Sequence, residues 1–332
     1  MKHYVITGGA GFIGSNLVKA LLIQNTGIKI TCIDNFDPFY SIVIKQNNIK
    51  EFNNNGGFRL LNLDIAETSV ATLCNLVTEP VDAIIHLAAK AGVRPSILNP
   101  VAYQHANIIG TQLMLDFAKQ KGITQFIFAS SSSVYGVNNH FPWKEDEQLL
   151  PISPYAMTKL AGEMLGHVYS HLYGIRFIAL RFFTVFGPGQ RPDLAIHKFV
   201  KALHLGQPIS MYGDGSTSRD YTYIDDIVNG VISSIDYNKS QFEILNLGNN
   251  YSISLKELIN TIEEVTGKKV TIEQLPEQSG DVSKTFADIS KAKELLHYNP
   301  QTKLEDGVKK FYNWFKKNNE ILLCFTNICK SF

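Results

Sequence analysis

The sequence predicts an α/β protein: a doubly wound parallel sheet with a smaller C-terminal α/β substrate lobe. Three observations predict it. Through the first half of the chain, short apolar runs of strand character alternate with longer stretches of helical spacing, the order that builds parallel strands with crossover helices. The run Val5-Ile-Thr-Gly-Gly-Ala-Gly-Phe-Ile-Gly14 sets a glycine-rich turn between the first strand and the first helix. The 332 residues exceed what one small core needs and suit a large domain with a second lobe.

Tyr4–Thr7 reads as the first strand, and Ile13, Leu17, Val18, Leu21 and Leu22 follow at helical spacing. Lys29–Ile33, Phe58–Asn62 and Ala83–Leu87 read as the second to fourth strands. Pro100 opens a helical stretch to about Lys121, and Gln125–Ser130 is a fifth strand rich in Phe and Ile. Pro154 opens a helix to about Tyr173, before a sixth strand at Arg176–Phe182. Beyond Gly187-Pro188-Gly189 the alternation weakens, with loops at Gly187–Pro192 and Gly213–Ser218. Ser254-x-x-Glu257 is a capping box for a helix to about Thr266, and Asp288 and Thr302 read as caps of two last helices. Residues 1–180, with later segments returning to them, are expected to form the dinucleotide domain. Residues 181–320 are expected to supply mainly the lobe over the sheet edge, and 321–332 a tail.

Composition excludes several function classes. The chain is 45% hydrophobic and 18% charged, ordinary for a soluble globular protein, and a formal charge of +1 gives no global electrostatic case for nucleic acid or an anionic membrane. Cysteines 32, 74, 324 and 329 form no C-x-x-C pair and read as free thiols of a reducing, cytoplasmic compartment. No leader peptide or membrane span is expected, and Ile321-Leu-Leu-Cys-Phe325 is short enough to be a packed or frayed terminus rather than an anchor. No metal is expected.

Gly8, Gly11 and Gly14 supply positive φ, close backbone approach to a pyrophosphate and tight helix packing, and the helix N-terminus offers free N–H groups to phosphates. Asp34 lies at the end of the second strand, twenty residues past Gly14. A carboxylate there accepts from ribose hydroxyls and repels a 2′-phosphate, so NAD is favoured over NADP. Asp64 either meets the adenine amino group or caps a helix. His86-Leu-Ala-Ala89 ends the fourth strand: Ala88 and Ala89 let the backbone run close to the cofactor, and His86 reads as a packed histidine. Phe12, Ile13, Asn35, Ile65 and Leu87 complete the expected cofactor contacts.

Tyr155 and Lys159 stand one turn apart on one helix face, downstream of the serine run Ser130–Ser133 that ends the fifth strand. A tyrosine ionises near pH 10, so a tyrosine base at neutral pH needs about 4 kcal/mol of preferential phenolate stabilisation. A nearby ammonium and a positive nicotinamide ring could supply it, while Lys159 also holds the nicotinamide ribose and a serine shares the substrate proton. The combination points to a redox step with a paired proton transfer.

Together these residues resemble the extended branch of the short-chain dehydrogenase/reductase superfamily, the nucleotide-sugar epimerases and dehydratases. Ser-Val-Tyr-Gly136, Ser-Pro-Tyr155-x-x-x-Lys159 and Gly-Asp-Gly215 with Arg219-Asp-Tyr-x-Tyr-Ile-Asp-Asp226 carry the resemblance, from Val5 to about Trp314. It implies a Rossmann domain with a nucleotide-sugar lobe, and a homodimer through the stretches near 100–121 and 154–173. Ala91-Gly-Val-Arg-Pro-Ser96, Arg181-Phe-Phe-Thr-Val-Phe-Gly187, Gln190-Arg-Pro-Asp193, Ala195-Ile-His-Lys-Phe199 and Gln278-x-Gly-Asp-Val282 are similar to UDP-glucuronate 4-epimerases. UDP-glucose epimerases usually carry Asn where Thr184 stands and Arg where Gln278 stands. Gly189 departs from the family, which has a bulkier, often basic residue there.

By resemblance Ser131 aligns, to within one position, as the catalytic hydroxyl, with Ser132 and Ser133 as substrate contacts. Arg219 would bind the UDP diphosphate; Thr184, Arg191 and Arg94 would lie near the sugar carboxylate, since an arginine fork matches a carboxylate bidentately. Dehydratases of the branch place Asp-Glu after the catalytic hydroxyl, where Ser132-Ser133 stands here. The expected activity is 4-epimerisation of UDP-glucuronate with NAD. The alternatives are a UDP-glucose or UDP-N-acetylglucosamine 4-epimerase, a UDP-glucuronate decarboxylase, and a nucleotide-sugar-binding scaffold.

Overall fold

The computed structural model describes residues 1–24, 27–276 and 282–324. The first six strands are β1 (Lys2–Thr7), β2 (Ile28–Asp34), β3 (Phe58–Asn62), β4 (Ala83–His86), β5 (Gln125–Ser131) and β6 (Arg176–Phe182). The later half adds β7 (Thr184–Phe186), β8 (Ile209–Tyr212), β9 (Ser218–Tyr223), β10 (Phe242–Leu247), β11 (Ser252–Ser254) and β12 (Ile272–Leu275). Seven of them form one sheet in the order β10-β6-β5-β4-β1-β2-β3, every neighbouring pair parallel. The order reverses between β1 and β4, and the crevice at such a reversal, outside the strand C-termini, is where open α/β sheets hold ligands.

Strand residues alternate between two cores. Phe126, Phe128, Phe177 and Ala179 join one cluster, while Ile127, Ala129, Ile178 and Leu180 join the other, the period-two consequence of a sheet covered on both faces. The helix Pro154–Tyr173 lies close against the aromatic face. A Cβ on Gly162 would stand 2.3 Å from Phe128 and one on Gly166 2.2 Å from Phe177, so these two glycines set how near the helix comes. Each costs about 1 kcal/mol of helix propensity relative to Ala, which the close packing offsets. Ser153 accepts from the Ala156 N–H and Pro154 occupies the first turn, fixing the start of this helix.

The predicted strands all form, β1 and β2 starting earlier than expected and β4 ending one residue sooner, at His86. The stretch from Pro100 to Lys121 is helical but contains a π turn at His105–Ile109. The apolar spacing could not announce it, because the turn is stabilised by tertiary bonds from Asn107 to the Lys90 backbone. The Ser254/Glu257 capping box has both halves in place. Asp288 stands one residue before the cap position of the helix Ser290–Leu296, which Ile289 holds, and accepts from Ser290 N–H at 2.8 Å. Thr302 is not a cap: the last helix begins at Leu304, and the Thr302 N–H donates to Asp226 instead.

Outside the large sheet, β7, β9 and β11 form a three-stranded sheet, and β8 pairs parallel with β12. Cys32 is buried in β2 and Cys74 is half-buried in the helix Val70–Leu76, both as free thiols. Ile321, Leu322 and Leu323 pack on the core at the end of the helix Leu304–Cys324; residues 325–332 lie outside the described residues. Among the described residues no helix is long and apolar enough to cross a membrane.

Candidate active site

At the β1 turn Gly8 has φ +70°, and its N–H donates to Ile33 O at 2.7 Å. A Cβ on Gly8 would stand 2.8 Å from Ala88 N, and one on Gly14 2.2 Å from Gly8 O. Side chains are therefore excluded where the β1 and β4 loops meet and where the helix Phe12–Gln24 meets the turn. Asp34 accepts from Ala10 N–H at 3.0 Å and from Phe36 N–H at 2.9 Å, which binds the turn to the end of β2. Asp64 lies two residues past β3. Its carboxylate accepts from Ala66 N–H at 2.9 Å and from Asn35 Nδ2 at 2.7 Å. Ser69, not Asp64, caps the next helix, accepting from Thr72 N–H.

A cleft of about 1180 Å³ opens along these strand ends. It is lined by Gly8, Gly11, Phe12, Ile13, Gly14, Asp34, Asn35, Asp64, Ile65, Leu87, Ala88 and Ala89, and also by Ser131, Ser132, Ser133, Tyr155, Lys159, Thr184 and Arg191. The cradle closed to side chains and the carboxylate at its β2 end fit a dinucleotide. So does Tyr40, which lines the cleft with a buried hydroxyl that has no partner among the described residues. Arg94 and Arg219 are not brought into this lining. Arg94 is exposed with its guanidinium over the Tyr212 ring, and Arg219 donates to Ser218 O at 2.9 Å. Arg94 sits on the helix Val93–Leu98 and Arg219 on β9, and the tertiary placement of those elements, which residue spacing does not encode, decides where the two side chains go. Gln278 lies outside the described residues.

Tyr155 lies beside Ser131 and Lys159. Burial pushes its phenol above the ordinary value, against the pull of the Ser131 hydroxyl and of the Arg191 charge. Sequence reasoning looked to a nearby ammonium and the nicotinamide ring for that pull; Ser131 and Arg191 are further sources of it. Lys159 is buried, donates to Ala129 O at 2.6 Å, and is held down at about 7 by burial, with Glu163 opposing. Ser131 Oγ donates to Ser133 Oγ at 3.1 Å and accepts from Ser133 N–H.

Two buried polar networks support this group, and sequence reasoning missed both. Glu163 stands one turn beyond Lys159, a spacing that could have exposed it. It takes a bidentate pair from Arg181, at 2.9 Å to Nε and 2.8 Å to Nη2, and accepts the Ser130 hydroxyl. The second network runs through His86. Thr111 donates to Asn107 O at 2.6 Å, so it accepts from His86 Nε2–H, and Nδ1 accepts from Thr7. Thr7 in turn accepts from Ala88 N–H at 3.1 Å. Asn107 donates to Thr158 on the Tyr155 helix at 2.9 Å, joining the β4 loop to the catalytic helix. Burial holds His86 down at about 3, neutral and packed as its sequence position suggested.

Arg191 lines the cleft within electrostatic reach of Tyr155. Asp193 grips its Nε and Nη2 edge at 2.9 and 2.7 Å, and Phe39 lies under the guanidinium at 5.5 Å. Asp193 is a second residue that sequence reasoning missed, although it stands only two positions away. Lys90, paired with Asp37 at 2.6 Å, is a third, and both side chains line the cleft. Gly189, where the resemblance led to the expectation of a bulkier residue, has φ +84°, which a non-glycine side chain rarely tolerates.

Residues 5–311 match the profile of the GDP-mannose 4,6 dehydratase family. The chain belongs to this family. Within the GDP-mannose 4,6 dehydratase family, an extended short-chain dehydrogenase/reductase group, the chain is 40% identical to a UDP-glucuronate 4-epimerase of Thermodesulfobacterium geofontis, over 97% of this chain and 98% of the relative. Among solved structures it resembles a UDP-glucuronic acid 4-epimerase from Bacillus cereus, in complex with UDP-glucuronic acid and NAD. The TM-score is 0.88 at 38% identity, covering 95% of this chain and 99% of that one. A UDP-N-acetylglucosamine 4-epimerase from Methanobrevibacter ruminantium gives a TM-score of 0.87 at 32% identity, covering 96% and 99%. The Rossmann fold is shared with these family members.

Proposed function

We propose that this protein is an NAD-dependent UDP-sugar 4-epimerase that interconverts UDP-glucuronate and UDP-galacturonate. The observation that carries the substrate is Arg191, which lines the same cleft as Tyr155, Ser131 and Thr184 with its charge felt at the Tyr155 hydroxyl. The names of the relatives support the same choice.

Bound NAD would accept a hydride from C4 of the sugar and return it to the opposite face, so the sugar is a 4-ketone between the two transfers. Gly8, Gly11 and Gly14 leave room for the pyrophosphate, and Asp34 favours a free 2′-hydroxyl on the adenosine ribose. Tyr155 removes the C4 hydroxyl proton and later restores one, steadied by Ser131. Burial opposes the phenolate, so Tyr155 acts as a base when positive charge gathers around it: Arg191, Lys159 and the nicotinamide. Lys159, braced on Ala129 O, holds the nicotinamide ribose.

A 4-keto uronate is a β-keto acid and loses CO₂ readily. Thr184 and Arg191, with Ser132 and Ser133, keep the carboxylate turned so that the C5–C6 bond stays out of line with the carbonyl π system. Residues 181–320 form most of the nucleotide-sugar lobe; Arg219 binds the diphosphate and Arg94 joins the sugar pocket when that lobe closes. The helices Pro154–Tyr173 and Gly110–Lys121, with the segment before the latter, pair with those of a second copy. Met157, Met164, Val168 and Leu172, with Val101 and Ile109, leave an exposed apolar surface for that contact. The free thiols of Cys32 and Cys74 suit a reducing cytoplasm.

The test is proton NMR of UDP-glucuronate incubated with the purified protein without added reductant. The expected result is UDP-galacturonate with no UDP-pentose, and Tyr155→Phe should slow turnover at least about a hundredfold while leaving UDP-sugar binding nearly unchanged. UDP-pentose as the main product would make the protein a decarboxylase. Turnover of UDP-glucose or UDP-N-acetylglucosamine alone would keep the mechanism and overturn the substrate.

A further inference from the structure

We propose that His197 is a positioning residue for Arg191, fixing through the Gln190 carbonyl the stretch of loop that aims the guanidinium at the sugar carboxylate. This rests on the reading of Arg191 given above.

His197 lies on the helix Ala195–His204 and is fully buried. Its Nδ1 stands 2.9 Å from Gln190 O. A carbonyl only accepts, so Nδ1 carries the hydrogen and Nε2 carries a lone pair. That lone pair has no partner among the described residues. The ring instead meets Phe311 at 5.6 Å, Trp314 at 6.2 Å and Phe315 at 5.6 Å, all edge to face. These three aromatics belong to the C-terminal helix Leu304–Cys324. Burial keeps the imidazole neutral, its value down at about 4.

An imidazole is a poor filler for this cage. A phenyl ring would occupy the same space without an unpaired nitrogen. What the imidazole adds is one N–H, directed at the carbonyl next to Arg191. Besides the bonds from Gln190 N–H to Gly187 O at 3.1 Å and from its Nε2 to Val185 O at 3.4 Å, three contacts pin the loop. Asn16 donates to Pro188 O at 3.1 Å, His197 to Gln190 O, and Arg191 to Asp193 through its fork. The last two bracket the arginine: Asp193 fixes one edge of the guanidinium and His197 fixes the backbone behind it. The C-terminal helix, which touches no part of the cleft, thereby helps to set the position of a cleft residue.

Position matters because of the reaction to be avoided. If the carboxylate of the 4-keto sugar turns, the C5–C6 bond breaks and its electron pair moves into the C4 carbonyl to give an enolate. CO₂ leaves and C5 takes a proton. A loosened Arg191 holds the carboxylate less firmly against that turn.

The test compares His197→Phe and His197→Asn in the full-length protein with its NAD. Calorimetry reads the affinities for UDP-glucuronate and UDP-glucose, and proton NMR reads the products. His197→Phe should melt close to the wild type, since it removes the orphan nitrogen while leaving the Gln190 carbonyl bare. It should nevertheless lose about tenfold in affinity for UDP-glucuronate relative to UDP-glucose and yield detectable UDP-pentose where the wild type yields none. His197→Asn, whose amide can place a donor where Nδ1 stood, should stay within about twofold of the wild type in affinity and, like it, yield no UDP-pentose. If His197→Phe does not fold, His197→Gln, which carries its donor at the Nε2 position and leaves Gln190 O bare, should show the same losses. Equal weakening of both ligands, or an unchanged product share, would reduce His197 to a packing residue and overturn the proposal. Failure of the wild type to prefer UDP-glucuronate would be seen without any variant; it would overturn the reading of Arg191 and this proposal with it.

Discussion

The two ends of the cleft are built by different means. At the dinucleotide end the walls are mainly backbone: glycines that exclude side chains, strand ends in register, and an Asp34 carboxylate already tied to two N–H groups. At the end proposed to hold the sugar the polar groups are long side chains restrained by neighbours, as Arg191 is by Asp193. The first construction follows from the path of the chain and is hard to alter without disturbing the fold. The second depends on a few hydrogen bonds, so substrate choice can change there while the sheet stays intact.

This contrast sets the expected size and kind of substitution effects. The largest belongs to the dinucleotide end. Gly14→Ala places a methyl 2.2 Å from Gly8 O, where only backbone can move, and should cost about 3 kcal/mol in thermal unfolding and more than tenfold in NAD affinity. A smaller effect concerns the His86 network beneath the same end. Its folded value near 3 lies below the ordinary 6.5, so the unfolded chain binds a proton in that interval and the folded chain does not. Stability from this group is therefore complete above about pH 6.5 and is lost as pH falls towards 3. Between pH 7 and 5 the loss should be about 2 kcal/mol by denaturant unfolding, and absent in His86→Gln. The smallest belongs to the sugar end. Asp193→Asn should weaken UDP-glucuronate about fivefold relative to UDP-glucose with no change in melting temperature. A fall in melting temperature as large as that of Gly14→Ala would erase the distinction between the two ends.

The same contrast explains what the sequence made legible. Gly8, Gly14 and Asp34 could be read because each does a local task within one strand-turn-helix unit. Tyr155 and Lys159 could be read because a helix fixes their spacing. Arg94 was expected near the sugar carboxylate and Arg219 at the diphosphate, yet Arg94, on the helix Val93–Leu98, lies over Tyr212 and Arg219, on β9, turns to Ser218 O, since the direction of a long side chain is set by neighbours from distant segments. Asp193, Glu163 and the Lys90–Asp37 pair were missed because a counter-ion is visible only once its partner has been placed. The π turn escaped for a related reason: its tertiary contacts come from the β4 loop, seventeen residues earlier in the chain.

The contact between Gly162 and Phe128 also works as a ruler. Phe128 stands on β5 three residues before Ser131, and Gly162 stands on the catalytic helix seven residues after Tyr155. Both partners are stiff, one an aromatic ring and the other bare helical backbone. The gap between the Ser131 and Tyr155 hydroxyls is thus gauged by the width of a benzene ring, a dimension set by covalent bonds that neither temperature nor substrate can stretch.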